Sequence, residues 1–83
     1  MQLFHKQKGK PLYLQLYEWL KEQILEGYLA EYDKMPSVRT CAKMYQLSMT
    51  SVLKAYEKLL EEGFIESKEK SGYYVSVNAE KIE

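Results

Sequence analysis

The sequence has a single cysteine, a single histidine and no excess of charge of either sign. The lone cysteine excludes a disulfide within the chain, and with only one histidine beside it a zinc site inside the chain is not expected. Twelve basic and twelve acidic side chains cancel, so the net charge predicts no class of partner. The sequence also has no long apolar run of the kind that forms a signal peptide or a membrane span, and a cytoplasmic protein is expected.

The length of 83 residues allows one domain, and 46% apolar with 29% charged residues is the usual mix of a soluble globular domain. A chain this short buries only about 60% of its unfolded surface, so its core must be compact and locally connected. This excludes a barrel enzyme or a doubly wound sheet. There is no glycine-rich phosphate loop, no nucleophile paired with a base and no metal constellation, so we expect neither catalysis nor a cofactor.

Charge is distributed unevenly along the chain although it sums to zero. Residues 1–10 carry three lysines and no acidic residue, and residues 31–56 carry four basic against two acidic side chains. Residues 57–69 carry two basic against five acidic ones. A basic face can therefore exist on a neutral protein, and nucleic acid is not excluded as a partner.

Hydrophobic periodicity predicts three helices. Pro11 opens the first as a first-turn residue, and its apolar residues repeat every four positions. Ser37 is suited to cap a second helix over Val38–Tyr45, and Ser48 is suited to cap a third that ends at Gly63. Two short helices separated by about three residues are typical of a helix-turn-helix.

After the third helix the periodicity changes to that of strands. Phe64 and Ile65 begin one strand, a turn follows at Lys70 to Gly72, and Tyr73 begins the return strand. Three helices and one two-stranded hairpin predict a mainly α fold with a small β-hairpin, a winged helix-turn-helix. We divide the chain into a basic flexible leader (1–10), this domain (11–77) and the start of a linker or a further helix (78–83).

Several motifs, in the right order, resemble those of GntR-type bacterial transcription regulators. They are Pro11-Leu12-Tyr13, Met35-Pro36-Ser37-Val38-Arg39, Thr50-Ser51-Val52 with Ala55-Tyr56, and Ser71-Gly72-Tyr73-Tyr74-Val75. The resemblance covers nearly the whole chain. Its opening motif and its Ala-Tyr pair are similar to the YtrA-like and MocR-like branches of the family.

The resemblance implies a domain that reads operator half-sites of double-stranded DNA. It places the third helix in the major groove and the hairpin on the minor groove or the backbone, with no role for a membrane. It also implies a homodimer in the full-length protein. The implied DNA-binding residues are Ser37, Arg39, Ser48, Met49, Thr50, Ser51, Lys54, Lys68, Lys70 and Gly72.

Met49 and Lys70 depart from the resemblance, because the family usually has an arginine at the first position and a glycine at the second. A bidentate arginine contact is worth roughly 1–3 kcal/mol, so either the operator differs or DNA binding is weaker. Apolar Met49 and Leu53 keep open an alternative function, a winged-helix module for protein–protein interaction with weakened DNA binding. For Arg39 the alternative to a DNA contact is a surface salt bridge with Glu31 or Asp33.

Overall fold

Residues 9–76 are described in the computed structural model, and they form three helices followed by a two-stranded antiparallel sheet. The winged helix-turn-helix prediction is confirmed. The leader predicted over 1–10 lies mostly outside the described residues, and the segment 78–83 lies wholly outside them. The elements are α1 (Leu12–Leu25), α2 (Val38–Tyr45), α3 (Met49–Glu61), β1 (Ile65–Lys68) and β2 (Gly72–Val75).

Two predicted positions at element ends are wrong by one residue. Pro11 precedes α1 in an extended conformation instead of forming its first turn, and its carbonyl accepts hydrogen bonds from the amides of Leu14 and Gln15, both at 3.2 Å. Gly72, predicted in the turn, is the first residue of β2 and pairs with Lys68. Pro11 and Gly72 therefore lie at the boundaries of α1 and β2, each one position from its predicted place.

The core lies between α1, α3 and the sheet. α1 contributes the row of leucines predicted from its four-residue repeat, and Cys41 is buried as expected. Burial raises the pKa of the Cys41 thiol, because an apolar environment disfavours the thiolate. The best-buried large side chains are Tyr56, Leu16, Ile24, Met35, Leu59, Val52, Val75 and Cys41.

The segment 32–35 runs along the edge of β2 that is not paired with β1. The amide of Met35 donates to the carbonyl of Tyr73 at 2.8 Å, and Lys34 pairs with Tyr74 as an antiparallel bridge. β2 is therefore hydrogen-bonded on both edges, and the hairpin is tied to the chain that leads into α2. This pairing is made by backbone groups, so the types of the residues involved do not predict it.

Tyr56 joins α3 to two other parts of the winged helix-turn-helix. Its side chain is completely buried, and its hydroxyl donates to the carbonyl of Pro36 at 2.7 Å. Its ring also meets the ring of Tyr73 edge-on, with 4.9 Å between the centroids. One side chain thus holds α3 against both the start of α2 and the hairpin.

Tyr17 joins α1 to the end of α3 through a hydrogen bond from its hydroxyl to the carboxylate of Glu62. That bond lowers the pKa of Glu62. Burial, followed by the neighbouring Glu62 carboxylate, raises the pKa of Tyr17 to about 12. Since the folded pKa of Glu62 lies below its ordinary value of 4.5, the bond stabilises the fold above that pH and loses its effect as the carboxylate is protonated below it.

Replacing Tyr17 by phenylalanine is expected to lower the melting temperature at neutral pH, because the variant loses one hydrogen bond worth about 1 kcal/mol. The difference from the wild-type chain should shrink as the pH falls below 4.5, the ordinary pKa of Glu62. Thermal unfolding followed by circular dichroism over a pH series measures both effects. Glu62→Gln is the matched control, since it keeps an acceptor for Tyr17 without an acidic titration. Parallel melting curves for Tyr17→Phe and the wild type at every pH would refute the assignment.

Candidate nucleic-acid interface

Two serine caps fix the starts of the helices in the helix-turn-helix, as predicted. The Ser37 hydroxyl accepts a hydrogen bond from the Thr40 amide at 3.1 Å, and the Ser48 hydroxyl accepts one from the Ser51 amide at 3.0 Å. Between the helices, Gln46 adopts a left-handed conformation with φ 58°. Each cap satisfies an amide that the helix itself leaves unpaired, so both helix starts are well defined.

α3 presents three rows of side chains outside its buried face. Thr50 and Glu57 lie at the centre of the exposed surface, opposite the core row. Lys54 lies on one flank, and Met49 with Leu53 lies on the other, where they are 50% and 41% exposed. Thr50, Leu53, Lys54 and Glu57 are all exposed.

Lys54 is held against α1. Its ammonium group lies 5.4 Å from the centroid of the Tyr13 ring, and Lys58, one turn later, lies 5.0 Å from the centroid of Tyr17. Cation–π contacts of this kind are worth about 0.5–1 kcal/mol at exposed sites. Tyr13 is a partly buried ring in the first turn of α1, where it supports a lysine of the candidate interface.

Arg39 is an exposed residue of the first turn of α2. The predicted alternative, a salt bridge to Glu31 or Asp33, is wrong for the described residues, since no ion pair joins Arg39 to any carboxylate between residues 9 and 76. Asp33 instead accepts a hydrogen bond from the Ala30 amide at 2.8 Å. Within residues 9–76 the guanidinium group therefore has no ion-pair partner.

The hairpin tip carries two lysines in different situations. The ammonium of Lys68 lies 3.8 Å from the Glu66 carboxylate and 5.9 Å from the centroid of the Tyr74 ring. Lys70 has neither contact among the described residues and sits in a left-handed conformation with φ 65°. The family motif has a glycine at this position, and the positive φ explains why, because a side chain there costs roughly 1–2 kcal/mol.

Lys34 also contributes a cation to this surface, although it is not among the DNA-binding residues predicted from the sequence. A Cβ atom added at Gly72, which has φ 119°, would lie 3.4 Å from the Cε atom of Lys34. The lysine stem therefore crosses the start of β2 beside the hairpin. The pairing of Lys34 with Tyr74 across the edge of β2 puts it there, and the sequence gives no signal for that pairing.

Cationic side chains predominate along α2 and the first half of α3, although Glu57 is exposed on the same face of α3 as Thr50. Residues 34–56 contain no aspartate or glutamate, whereas Glu57, Glu61 and Glu62 follow directly in the second half of α3. The positive region thus spans α2 and the first half of α3 and ends where these carboxylates begin. Its cations are Lys34, Arg39, Lys43 and Lys54.

Other kinds of site are not supported by residues 9–76. These residues hold no group of three or more side chains able to bind a metal ion. Within the same range, no helix is both long and apolar enough to cross a membrane.

Comparison with known proteins agrees with the motifs and the fold. The sequence profile of the bacterial regulatory proteins of the gntR family matches residues 12–75. The chain belongs to the GntR family. Members of both branches suggested by the motifs are among its relatives, one described as a transcriptional repressor and the other as a probable regulatory protein.

The transcriptional repressor YtrA of Bacillus subtilis is 41% identical over 69 residues, which is 83% of this chain and 53% of YtrA. The probable rhizopine catabolism regulatory protein MocR of Rhizobium meliloti is 38% identical over 66 residues, 80% of this chain and 13% of MocR. The GntR chain described here thus spans about half of one relative and a small part of the other.

Two solved structures show the same fold. A transcriptional regulator from Oenococcus oeni has a TM-score of 0.86 at 27% identity, over 99% of this chain and 68% of that one. The DNA-binding domain of AraR in complex with operator ORX1 has a TM-score of 0.82 at 23% identity, over 92% of this chain and 95% of that one.

Proposed function

We propose that this GntR domain binds operator DNA with α3 in the major groove and with the hairpin on the minor groove or the phosphate backbone. The observation that carries the proposal is the exposed start of α3 within residues 34–56, a segment with four basic side chains and no carboxylate. An exposed helix that begins at such a surface suits the major groove, where the first turns reach the base edges. The operator complexes of AraR support the same use of this fold.

The charged side chains are assigned to phosphate and to guanine. Arg39 offers a planar fork that can grip either group with two hydrogen bonds. Lys54, held beside Tyr13 on the α1 side of α3, is suited to a phosphate at the edge of the groove. Lys68 and Lys70 lie on the hairpin, where they can follow the backbone of the adjacent groove.

The smaller residues are assigned to docking and to base contact. Ser37, Ser48 and Ser51 order the helix starts, which brings the first amides of α2 and α3 toward phosphates. Met49 and Thr50, exposed in the first turn of α3, are placed at the base edges. Gly72, at the start of β2 beside the Lys34 stem, is assigned to the contact of the hairpin with the DNA backbone.

The proposal extends to assembly and location. One small domain makes few contacts with DNA, so the full-length protein is expected to act as a homodimer on two half-sites about one helical turn apart. A regulator that works on operator DNA is expected in the cytoplasm. Its relatives are regulators, and we assign no enzymatic activity to this domain.

Selection of genomic DNA fragments by the purified chain at two salt concentrations tests the proposal. We expect a recurrent sequence motif and an affinity that falls steeply with salt, with a slope of about −0.9 for each phosphate contacted. The motif reports base contacts, whereas the slope reports phosphate contacts. Absence of any enriched motif, with binding that does not depend on salt, would refute DNA recognition.

A protein–protein interaction module is the second candidate function. It is favoured by exposed apolar side chains around the helix-turn-helix, namely Met44 at 54%, Met49 at 50% and Leu53 at 41%. A protein partner that binds this chain, is lost on Leu53→Asp and is not displaced by DNA would support it. If the selected DNA instead competes with that partner, the DNA and the partner bind the same surface.

A further inference from the structure

Met49 and Leu53 form an apolar row along the flank of α3 that faces away from α1. They are four residues apart, so they lie on the same side of the helix, about 6 Å apart along its axis. The opposite flank is identified by Lys54 and Lys58, whose ammonium groups lie over rings of α1. About half of the Met49 side chain and two-fifths of Leu53 remain in contact with solvent.

A pair of apolar side chains favours one base in the major groove. Thymine alone presents a methyl group there, whereas guanine, adenine and cytosine present donors and acceptors at their edges. Neither Met49 nor Leu53 can form hydrogen bonds with such a polar edge. Burying donors and acceptors without hydrogen-bond partners costs free energy. We propose that the Met49–Leu53 row contacts the 5-methyl groups of thymines and so sets a thymine preference in the half-site, an inference that rests on the proposed DNA-binding function.

The surroundings of the row fit DNA better than a protein partner. Residues 34–56 place Arg39, Lys43 and Lys54 on the same two helices and no carboxylate among them. Thr50, beside Met49 in the first turn, adds a hydroxyl that can bond to the base edges. An apolar row of two side chains, on a helix whose first half carries a cation and no carboxylate, complements a methyl-bearing groove between phosphate backbones.

The test uses the half-site duplex obtained by selection, with thymines replaced one at a time by deoxyuridine, which lacks only the methyl group. At one or two positions we expect the affinity of the wild-type chain to fall about fourfold, because each buried methyl contributes about 0.8 kcal/mol. Where cytosine replaces such a thymine, 5-methylcytosine should bind better than cytosine. Fluorescence anisotropy of labelled duplexes measures these affinities.

Variants assign the effect to the row. The double substitution of Met49→Ala with Leu53→Ala should abolish the difference between thymine and deoxyuridine. Met44→Ala, which removes another exposed methionine on α2, should keep it. Circular dichroism checks that each variant folds, which is expected because all three side chains are exposed.

The failure of this inference is distinct from that of the proposed function. Equal binding of thymine and deoxyuridine duplexes, with sequence-selective and salt-dependent binding intact, would overturn the thymine preference alone. A half-site without thymine, or a deoxyuridine effect that persists in the double variant, would overturn it as well. Loss of all selective DNA binding would overturn both proposals.

Discussion

The substitution Tyr56→Ala is expected to lower the free energy of unfolding by about 3–5 kcal/mol, as large-to-small changes of aromatic core residues do. The total for a chain of this length is about 4–12 kcal/mol, so the variant should lose a large part of its stability. The physical reason is complete burial between α3, the segment before α2 and the hairpin. Removal of the ring leaves a cavity where these three parts meet.

Tyr56→Phe separates the contribution of the hydroxyl to stability from that of the ring. It removes only the hydrogen bond to the Pro36 carbonyl and should cost about 1 kcal/mol, while the edge-on contact with Tyr73 remains. Urea denaturation of both variants, followed by circular dichroism, measures the two losses. A Tyr56→Phe variant as unstable as Tyr56→Ala would show that the hydrogen bond, and not packing, dominates at this position.

Local signals explain why the elements of this fold could be predicted from sequence. Ser37 and Ser48 each cap the helix that follows, and the hydroxyl that accepts the amide hydrogen bond belongs to a residue only three positions away. The buried faces of α1 and α3 were likewise predictable, because helical periodicity depends on near neighbours in the chain. The buried Cys41 followed from the same periodicity and from its place in the family motif.

Long-range contacts explain what could not be predicted. Helical periodicity could not reveal that the Lys54 ammonium lies 5.4 Å from the centroid of the Tyr13 ring. The pairing of Lys34 with Tyr74 joins segments forty residues apart through backbone groups, which every residue carries. Lys34 was therefore left out of the candidate site although it lies beside Gly72.

Lys70 has a backbone conformation that is unusual for a residue with a side chain. The family motif has glycine at this position, and the chain keeps the left-handed backbone that favours glycine although it carries lysine. The cation is thereby held at the tip of the turn. We interpret the strain as tolerated because Lys70 sits where the hairpin is proposed to meet the DNA backbone.

Arg39→Ala is expected to weaken DNA binding about tenfold to a hundredfold, the equivalent of about 1–3 kcal/mol for a bidentate contact. The stability of the domain should not change, because Arg39 is exposed and has no ion pair with residues 9–76. If the arginine binds phosphate, all sequences should lose affinity together and the salt slope should fall by about 1. If it binds guanine, the selected half-site should lose far more than unrelated DNA.

Glu57→Ala is the matched control for Arg39→Ala, since it also truncates an exposed charged side chain of the helix-turn-helix. The carboxylate lies two turns along α3 and repels phosphate, so its removal should leave affinity unchanged or raise it. Arg39→Lys separates charge from shape, because lysine keeps the charge and loses the planar fork. Titration of labelled duplexes with the three variants ranks them. An Arg39→Ala variant that binds as tightly as the wild type would remove Arg39 from the interface and leave Lys54 and the hairpin lysines to account for the attraction to DNA.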